Sequence, residues 1–309
     1  MPLVYWLSDG VGLEVNKGGT DGQTPIPTAL IRWIRTKGSP SLIINGGDVY
    51  PDGKTKEFTE FFNQVDNDVS LMCETPGNHD WHDDPDLPQT GRIPHGYDTF
   101  WRSHPESKQP VDTNKKGGAR YEHFIDINGW RLIFLDTGDY SDNPWPAGDQ
   151  NRVTWLKNSF KPGRSNILVA HHSRLSRSVQ HGNNGKLDFL WKTLFDASGR
   201  PRVAFTLAGH DHNVSVYGPR SKDNPEGPSV SFDKGIHVFV NGGGGNGHYS
   251  GGFFASGSKP DIFFDDDHFC VTRVNLIDAQ SVDVDVLNFG KAAKTEPVPI
   301  PASLIKIRL

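Results

Sequence analysis

Five short apolar runs in this sequence are each followed by an Asp, Asn or His side chain, and no other feature constrains the fold as strongly. Each run has the length and composition of a buried β-strand. The runs cover 3–7, 41–45, 69–73, 167–170 and 203–207. Ligands in α/β proteins bind beyond the carboxyl ends of strands, so we expect the polar side chains to meet at one edge. In chain order they are Asp9, Asp48, Asn78, His171, and the pair His210 and His212.

Helical patterns separate the early strands, and strands dominate after residue 213. Asn128-Gly129, between apolar runs at 121–127 and 130–135, is a strong hairpin signal. Residues 81–118 are rich in Pro, Gly and His and are predicted to be mostly loops. This order predicts a layered α/β sandwich, and without a repeat or linker we predict one domain over residues 1–309. The predicted helices are Pro27–Thr36, a helix around 58–65, Asp149–Phe160 and Lys186–Phe195; the later strands are 214–217, 236–240, 269–276 and 282–287.

Composition excludes several classes of protein. With 35% hydrophobic and 11% aromatic residues in 309, the chain can bury a core without staples. The net charge of −5, with no Lys/Arg run longer than Lys115-Lys116, argues against a dedicated nucleic-acid-binding surface. No apolar run reaches membrane-spanning length, and no signal peptide is visible, so we expect a cytoplasmic protein. A trimmed secreted form is the alternative. Cys73 and Cys270 lie in apolar runs and are expected to be buried free thiols.

The donor set at the predicted edge is typical of a transition-metal site. Carboxylate and imidazole ligands favour Mn, Fe, Zn or Co over Ca. Six ligands are too many for a single catalytic ion that keeps an open position. They suit two ions that share a bridging carboxylate.

These motifs, in this order, resemble those of the calcineurin-like metallophosphoesterase superfamily. The resemblance runs from residue 3 to about residue 290. It implies a four-layer αββα sandwich with two mixed sheets, and a dinuclear metal centre that hydrolyses phosphate esters. The motifs are Ser8-Asp9-Gly10, Gly47-Asp48-Val49-Tyr50, Gly77-Asn78-His79-Asp80, Ala170-His171-His172 and Gly209-His210-Asp211-His212.

The resemblance assigns the ligands residue by residue. Asp48 corresponds to the carboxylate that bridges both metals, and Asp9 and His212 to ligands of one of them. Asn78, His171 and His210 correspond to the ligands of the other. Within the doublet, His171 is the expected ligand and His172 a packed neighbour. Two divalent or mixed-valence ions are implied, with Fe, Mn or Zn the expected metals.

One position departs from the pattern. Most members of the superfamily have a His two residues after the first Asp, where this chain has Val11. The purple acid phosphatase branch also lacks that His and uses a Tyr three residues after the bridging Asp. Here Tyr50 comes two residues after Asp48 and Pro51 occupies the expected place. A one-residue deletion would keep Tyr50 as a ligand.

Two further histidines are implied to act on the substrate, and Asp80 to orient one of them. His79 is expected to protonate the leaving group, with Asp80 orienting its ring. His181, in His181-Gly182, resembles a His near the phosphate in mammalian-type purple acid phosphatases. The expected partner is a small phosphorylated substrate, attacked in line at phosphorus by a metal-activated water.

Two alternatives to a phosphomonoesterase stay open. The same centre serves phosphodiesterases and nucleotide hydrolases, since a fold does not fix the substrate. Val11 also leaves open a metal-poor module that binds phosphorylated ligands without turnover. The tract Gly242–Gly245 is either a close approach of backbone to a ligand or only a turn.

Overall fold

Two mixed β-sheets form the centre of this structure, a computed structural model. It describes residues 1–9, 26–49, 54–55, 57–59, 68–81, 95–110, 122–137, 150–178, 180–244, 260–290, 297–300 and 304–309. Within these ranges the strands are β1 (Leu3–Leu7), β2 (Leu42–Asn45), β3 (Met72–Glu74), β4 (His123–Ile127), β5 (Trp130–Leu135), β6 (Asn166–Ala170), β7 (Phe205–Ala208), β8 (Val214–Arg220), β9 (Ile236–Asn241), β10 (Phe263–Asp265), β11 (Cys270–Asp278), β12 (Ser281–Asn288), β13 (Val298–Pro299) and β14 (Ile305–Arg308).

The first sheet has the order β13-β12-β11-β1-β2-β3, with β14 also paired to β12. β1, β2 and β3 are parallel, whereas β11 is antiparallel to β1. The second sheet has the order β10-β8-β9-β7-β6-β5-β4. Its four central strands β9, β7, β6 and β5 are parallel. Each sheet therefore has a parallel block whose carboxyl ends can carry a common site.

Helices cover the outer faces of the sheets. The described α-helices are α1 (Ile26–Lys37), α2 (His95–Ser103), α3 (Gln150–Ser159) and α4 (Asp188–Thr193). Short 3₁₀ helices cover His79–Trp81, Gly185–Leu187 and Phe232–Lys234. No described helix is both long and apolar enough to cross a membrane.

Alternation along the strands builds three apolar layers. In β1, Trp6 points between the two sheets, where it joins Trp130 and Phe205 of the second sheet. Its neighbour Tyr5 points the other way and packs with Ile34 of α1. On the far side of the second sheet, residues of β5, β6 and β9 pack against α3 and α4. Successive strand side chains point to opposite faces, so both faces of each sheet are buried and the layers stack as αββα.

Most sequence predictions of elements are confirmed. The αββα sandwich with two mixed sheets is present, the predicted hairpin forms β4 and β5, and both cysteines are buried and free. The third strand is shifted: it begins at Met72 rather than Val69. Predicted helix 186–195 begins as a 3₁₀ turn and ends at Thr193. Of the helix predicted around 58–65, residues 57–59 are helical and 60–65 lie outside the described residues.

The loop prediction for residues 81–118 is wrong for α2. Tyr97, Phe100 and Trp101 of this helix are all buried against the outer face of the first sheet. Their i, i+3, i+4 spacing places them on one face of a helix. The short strands β10, β13 and β14 were also not predicted. Organisation as a single domain over 1–309 stays a prediction.

The β4–β5 hairpin offers a test of backbone conformation. Asn128 and Gly129 both have positive φ, 49° and 85°, as a two-residue hairpin turn requires. A Cβ on Gly129 would also overlap with Ala279, whose Cα would be only 2.8 Å away.

We predict that Gly129→Ala destabilises the protein by about 2 kcal/mol or more, because the left-handed backbone alone costs roughly 1–2 kcal/mol for a residue with Cβ. Gly163→Ala is the matched control: its φ is 81°, with no atom within 4 Å of the added Cβ. Urea unfolding of both variants separates backbone strain from the clash. Equal losses of unfolding free energy would contradict the packing of this turn against Ala279.

Candidate metal centre

The predicted ligands follow the carboxyl ends of the parallel strands, and the loops from the two sheets meet. Asp9 follows β1 and Asp48 follows β2, both in the first sheet. His171 follows β6 and His210 follows β7, both in the second sheet. Nε2 of His171 lies 3.2 Å from Oδ2 of Asp48, which joins the two sheets at this edge. Residues more than a hundred positions apart therefore form one buried cluster.

Backbone strain is concentrated at three of the predicted ligands. Asp9, Asp48 and His210 have φ of 57°, 53° and 68°. Each such conformation costs on the order of 1–3 kcal/mol for a residue with a side chain, and it persists only where the surroundings impose it. The strands on either side of these loops supply that constraint.

Three glycines leave the space that the carboxylates of Asp9 and Asp48 occupy. A Cβ on Gly77 would overlap with Oδ1 of Asp48, and one on Gly209 would overlap with Ser8 and lie 2.8 Å from Oδ2 of Asp9. A Cβ on Gly242 would lie 2.7 Å from the same oxygen of Asp9. Gly242 belongs to the tract Gly242–Gly245, for which the sequence allowed either a close approach of backbone to a ligand or only a turn. At Gly242 the backbone does approach the site closely.

Asp48 is the central carboxylate of the cluster. It is only 2% exposed, and its Oδ1 accepts a hydrogen bond from the backbone N–H of His79 at 3.0 Å. Burial alone would raise its pKa, but the neighbouring His171 holds the pKa of Asp48 below its usual range. Burial alone would lower the pKa of His171, and the charge of Asp48 raises it to about 10. The cluster thus contains a buried carboxylate that is stabilised by positive charge beside it.

Asp9 and His212 come together as the sequence predicted. Nε2 of His212 lies 3.6 Å from Oδ1 of Asp9, and Oδ2 of Asp9 accepts the backbone N–H of His210 at 2.8 Å. Asp9 is fully buried, and burial raises its pKa to about 8. Its Oδ1 has no hydrogen-bond partner among the described residues.

Four imidazoles gather on the side of the second sheet. The His210 ring centroid lies 5.1 Å from that of His171, 4.2 Å from that of His172 and 3.9 Å from that of His181. Nδ1 of His171 lies 2.7 Å from the carbonyl oxygen of Gly46. A carbonyl can only accept, so this nitrogen donates and Nε2 faces the cluster. A ligating histidine is typically oriented in this way through its second nitrogen.

Asp80 has a role that the sequence did not indicate. Its carboxylate accepts the backbone N–H groups of Asp48, Val49 and Gly77 at 2.8, 3.3 and 2.7 Å. It therefore ties the loop after β2 to the loop after β3 and fixes the backbone that carries Asp48. The prediction that Asp80 orients the His79 ring stays a prediction.

Sequence reasoning missed or undervalued three residues near the cluster. His172, expected to be only a packed neighbour, is buried, and its ligand nitrogen lies within 4.8 Å of those of His171 and His210. Thr137 lies 3.2 Å from Nδ1 of His172 and accepts the backbone N–H of the same residue. Asp211 lines the adjoining cavity. Tyr50, a predicted ligand, and Val11 lie outside the described residues.

The donor set fits a metal centre. There are two groups of ligand atoms, and within each group all the atoms lie within 4.8 Å of one another. One group belongs to Asp9, Asp48 and His171, and the other to the imidazoles of His171, His172 and His210. Buried atoms in both groups lack a hydrogen-bond partner among the described residues, as does Oδ1 of Asn78. Buried polar atoms are rarely left unpaired in native proteins, so unpaired oxygen and nitrogen atoms that converge in this way suit divalent cations.

A cavity of about 550 Å³ opens beside the cluster. Asn78, His172 and His210 contribute to its wall from the metal side. His181 and Lys186 contribute from the segment after β6. Every described side chain that lines it is polar or is glycine, which favours a hydrophilic ligand.

Comparison with known proteins identifies the family. The family model described as calcineurin-like phosphoesterase matches residues 14–214, about two thirds of the 309 residues. The chain belongs to the calcineurin-like phosphoesterase family. No curated protein sequence is close enough to this one to count as a match.

Several solved structures share the fold at low sequence identity. A purple acid phosphatase from yellow lupin (Lupinus luteus) seeds has a TM-score of 0.66 and 16% identity, over 99% of this chain and 53% of the lupin chain. This chain thus spans about half the length of the lupin enzyme. GAP50, the anchor in the inner membrane complex of Plasmodium, has a TM-score of 0.58 and 16% identity, over 100% of this chain and 89% of its own. PhoD has a TM-score of 0.58 and 14% identity, over 99% of this chain and 71% of the PhoD chain.

The close approach of Gly209 to Asp9 generates a prediction for this cluster. Gly209→Ala should displace Asp9 and weaken metal binding by roughly 10- to 100-fold, the usual effect of disturbing the residues behind a ligand. Gly185→Ala is the control, since no atom lies within 4 Å of its added Cβ. Metal content after dialysis against defined free Mn²⁺ is the measurement. Full metal binding by Gly209→Ala would show that Asp9 is not a ligand.

Proposed function

We propose that this protein is a metal-dependent phosphoric ester hydrolase, and that phosphomonoesters are its substrates. The observation that carries the proposal is the convergence of Asp9, Asp48 and His171, whose ligand atoms lie within 4.8 Å of one another in a fully buried cluster. Family membership supports phosphoester chemistry. The polar cavity beside the cluster supplies room for the substrate.

The described residues support a centre of two ions. Asp48 would bridge them, with Asp9 and His212 on one side and Asn78, His171 and His210 on the other. His172 is a further candidate on the second side, because its Nε2 is buried and has no described hydrogen-bond partner. The metals expected from carboxylate and imidazole donors are Fe, Mn or Zn. When bound, such ions polarise the phosphoryl group and lower the pKa of a water toward roughly 7.

The protein's own groups orient the substrate. His181 is exposed and lines the cavity beside His210, where its ring can donate a hydrogen bond to a phosphoryl oxygen. Lys186 adds a positive charge to the wall, which favours a monoester dianion over a singly charged diester. His79 follows Asn78 in the chain, and its proposed role is to protonate the departing oxygen.

The first experiment compares two substrates. We expect p-nitrophenyl phosphate to be hydrolysed faster than bis(p-nitrophenyl) phosphate when each of Mn, Fe, Zn, Co and Mg is supplied in turn. Asp48→Asn should lower kcat/KM by roughly 100-fold or more, because it removes the bridging charge. Asp126→Asn is the control, since Asp126 pairs with Arg131 on the distant β4–β5 hairpin.

Three outcomes of this experiment would change the proposed function or the assigned site. Faster turnover of the diester would make the protein a phosphodiesterase. Full activity of Asp48→Asn would show that the assigned bridge is wrong. Less than one ion per chain, with no turnover in any metal, would indicate a module that binds phosphorylated ligands.

A second experiment examines the histidine doublet. We expect His171→Ala and His172→Ala each to lower the number of bound ions, because each removes a buried imidazole at the cluster. Nε2 of His171 lies 3.2 Å from Oδ2 of Asp48, and Nε2 of His172 has no described hydrogen-bond partner. His237→Ala is the control: this imidazole is buried but lies at the start of β9, away from the cluster. Metal analysis of the three variants is the measurement. If His172→Ala kept the full complement of ions, His172 would be only a packed neighbour, as the sequence suggested.

A further inference from the structure

A second large cleft lies at the opposite end of the second sheet from the metal cluster. Its volume is about 1240 Å³, above the range of about 300–1,000 Å³ typical of small-molecule pockets. It is lined by residues that precede β6, β7 and β9, at the amino ends of these parallel strands. The metal cluster follows the carboxyl ends of β6 and β7, so one strand of five residues, roughly 15 Å at about 3.3 Å per residue, separates the two.

The cleft is strongly basic although the chain as a whole is acidic. Among its described lining residues, seven are Lys or Arg and three are Asp, in a chain of net charge −5. Opposite charges attract across a concave, partly desolvated surface more strongly than on a flat one. The charge of this cleft therefore selects an anion.

Two of its arginines are held in place by aromatic rings. The guanidinium carbon of Arg164 lies 3.8 Å from the centre of the Phe232 ring, and that of Arg202 lies 5.5 Å from the centre of the Phe160 ring. Arg164 also donates to the carbonyl oxygens of Phe232 and Gly235. Arginines that are ordered beforehand lose less entropy when they bind a ligand.

Three other cations make no described hydrogen bond through their head groups, and the charge of Lys234 acts on the carboxylate of the adjacent Asp233. Arg200 and Lys234 are exposed and Lys222 is partly exposed, and all three line the cleft. The nearby carboxylate of Asp196 is already used within its own turn, where it accepts the backbone N–H groups of Ser198 and Arg200. These cations are consequently available to a ligand.

The arrangement favours closely spaced phosphoryl groups over carboxylates on a peptide. The cations come from several short segments around one concave space, so a ligand reaches many of them only if its charges lie close together. A chain of phosphoryl groups meets this requirement and presents oxygens that suit the planar arginine fork. An acidic peptide must order its backbone and several flexible side chains to do the same, which costs binding energy.

We propose that this cleft, at the amino ends of β6, β7 and β9, is a second anion site that binds a polyphosphate-type ligand, independently of the metal centre. The site does not require hydrolysis at the metal cluster. It would let the protein hold or sense a ligand with several phosphoryl groups while the metal centre acts on its own substrate.

Calorimetric titration with sodium tripolyphosphate tests the proposal. The full chain is titrated with excess orthophosphate present to occupy the metal centre, and Asp48→Asn is titrated in parallel. We expect one saturable site in both. The variant R200Q/K222Q/K234Q should bind tripolyphosphate with a Kd at least about tenfold higher, or not at all.

A charge-matched control distinguishes a site from general attraction. K37Q/K108Q/K157Q removes three exposed cations elsewhere on the chain and should leave tripolyphosphate binding unchanged. The cleft variant should keep the turnover of p-nitrophenyl phosphate seen in the parent chain. If the parent shows none, the calorimetric result still stands, so failure of the proposed hydrolase is distinguishable from failure of this site.

Three results would overturn the proposal. One is an equal loss of binding in the cleft variant and the control variant. Another is a hexaglutamate peptide that binds as tightly as tripolyphosphate, which would make the cleft a docking surface for acidic proteins. The third is the absence of saturable binding at physiological salt.

Discussion

The buried carboxylate of Asp48 is the group on which the arrangement of this site depends. A carboxylate with almost no access to water is unfavourable unless positive charge or hydrogen bonds compensate for it. Asp48 has both, because the His79 amide donates to one oxygen and His171 lies 3.2 Å from the other. Compensation has to come from loops of both sheets, and this requirement draws their carboxyl ends together.

The backbone around this carboxylate is strained, and the fold imposes the strain. Asp48, Asp9 and His210 adopt left-handed conformations, and Gly77 and Gly209 leave no space for a side chain beside the carboxylates. Asp80 holds the two loops on either side of Asp48 through three backbone amides. Two sheets packed through a common apolar layer hold these loops in place. The burial of apolar side chains in that layer offsets the strain at the site.

Much of this architecture is predictable from the sequence because local signals and burial agree. Apolar runs of strand length gave the central strands, and Asn128-Gly129 gave the hairpin. The helix His95–Ser103 was missed although Tyr97, Phe100 and Trp101 have helical spacing, since the surrounding Pro and Gly residues indicated loops. The short strands β10, β13 and β14 carry too few residues to show a period.

The finer geometry of the site follows from tertiary structure that no local pattern reports. Alternation would send His171 and His172 to opposite sides, but β6 ends at Ala170, and both rings reach the cluster. The bonds of Asp80 to the loop of Asp48 join residues about thirty positions apart, which spacing alone does not reveal. The basic cleft likewise forms only when segments before three different strands meet.

Electron paramagnetic resonance of the Mn²⁺-loaded protein, together with the number of ions bound per chain, tests whether Asp48 bridges two metal ions. Two ions held by the Asp48 carboxylate would be close enough to couple magnetically. We therefore predict two Mn²⁺ per chain and the spectrum of a coupled pair. A single bound ion with the six-line signal of isolated Mn²⁺ would show that Asp48 does not bridge two metals.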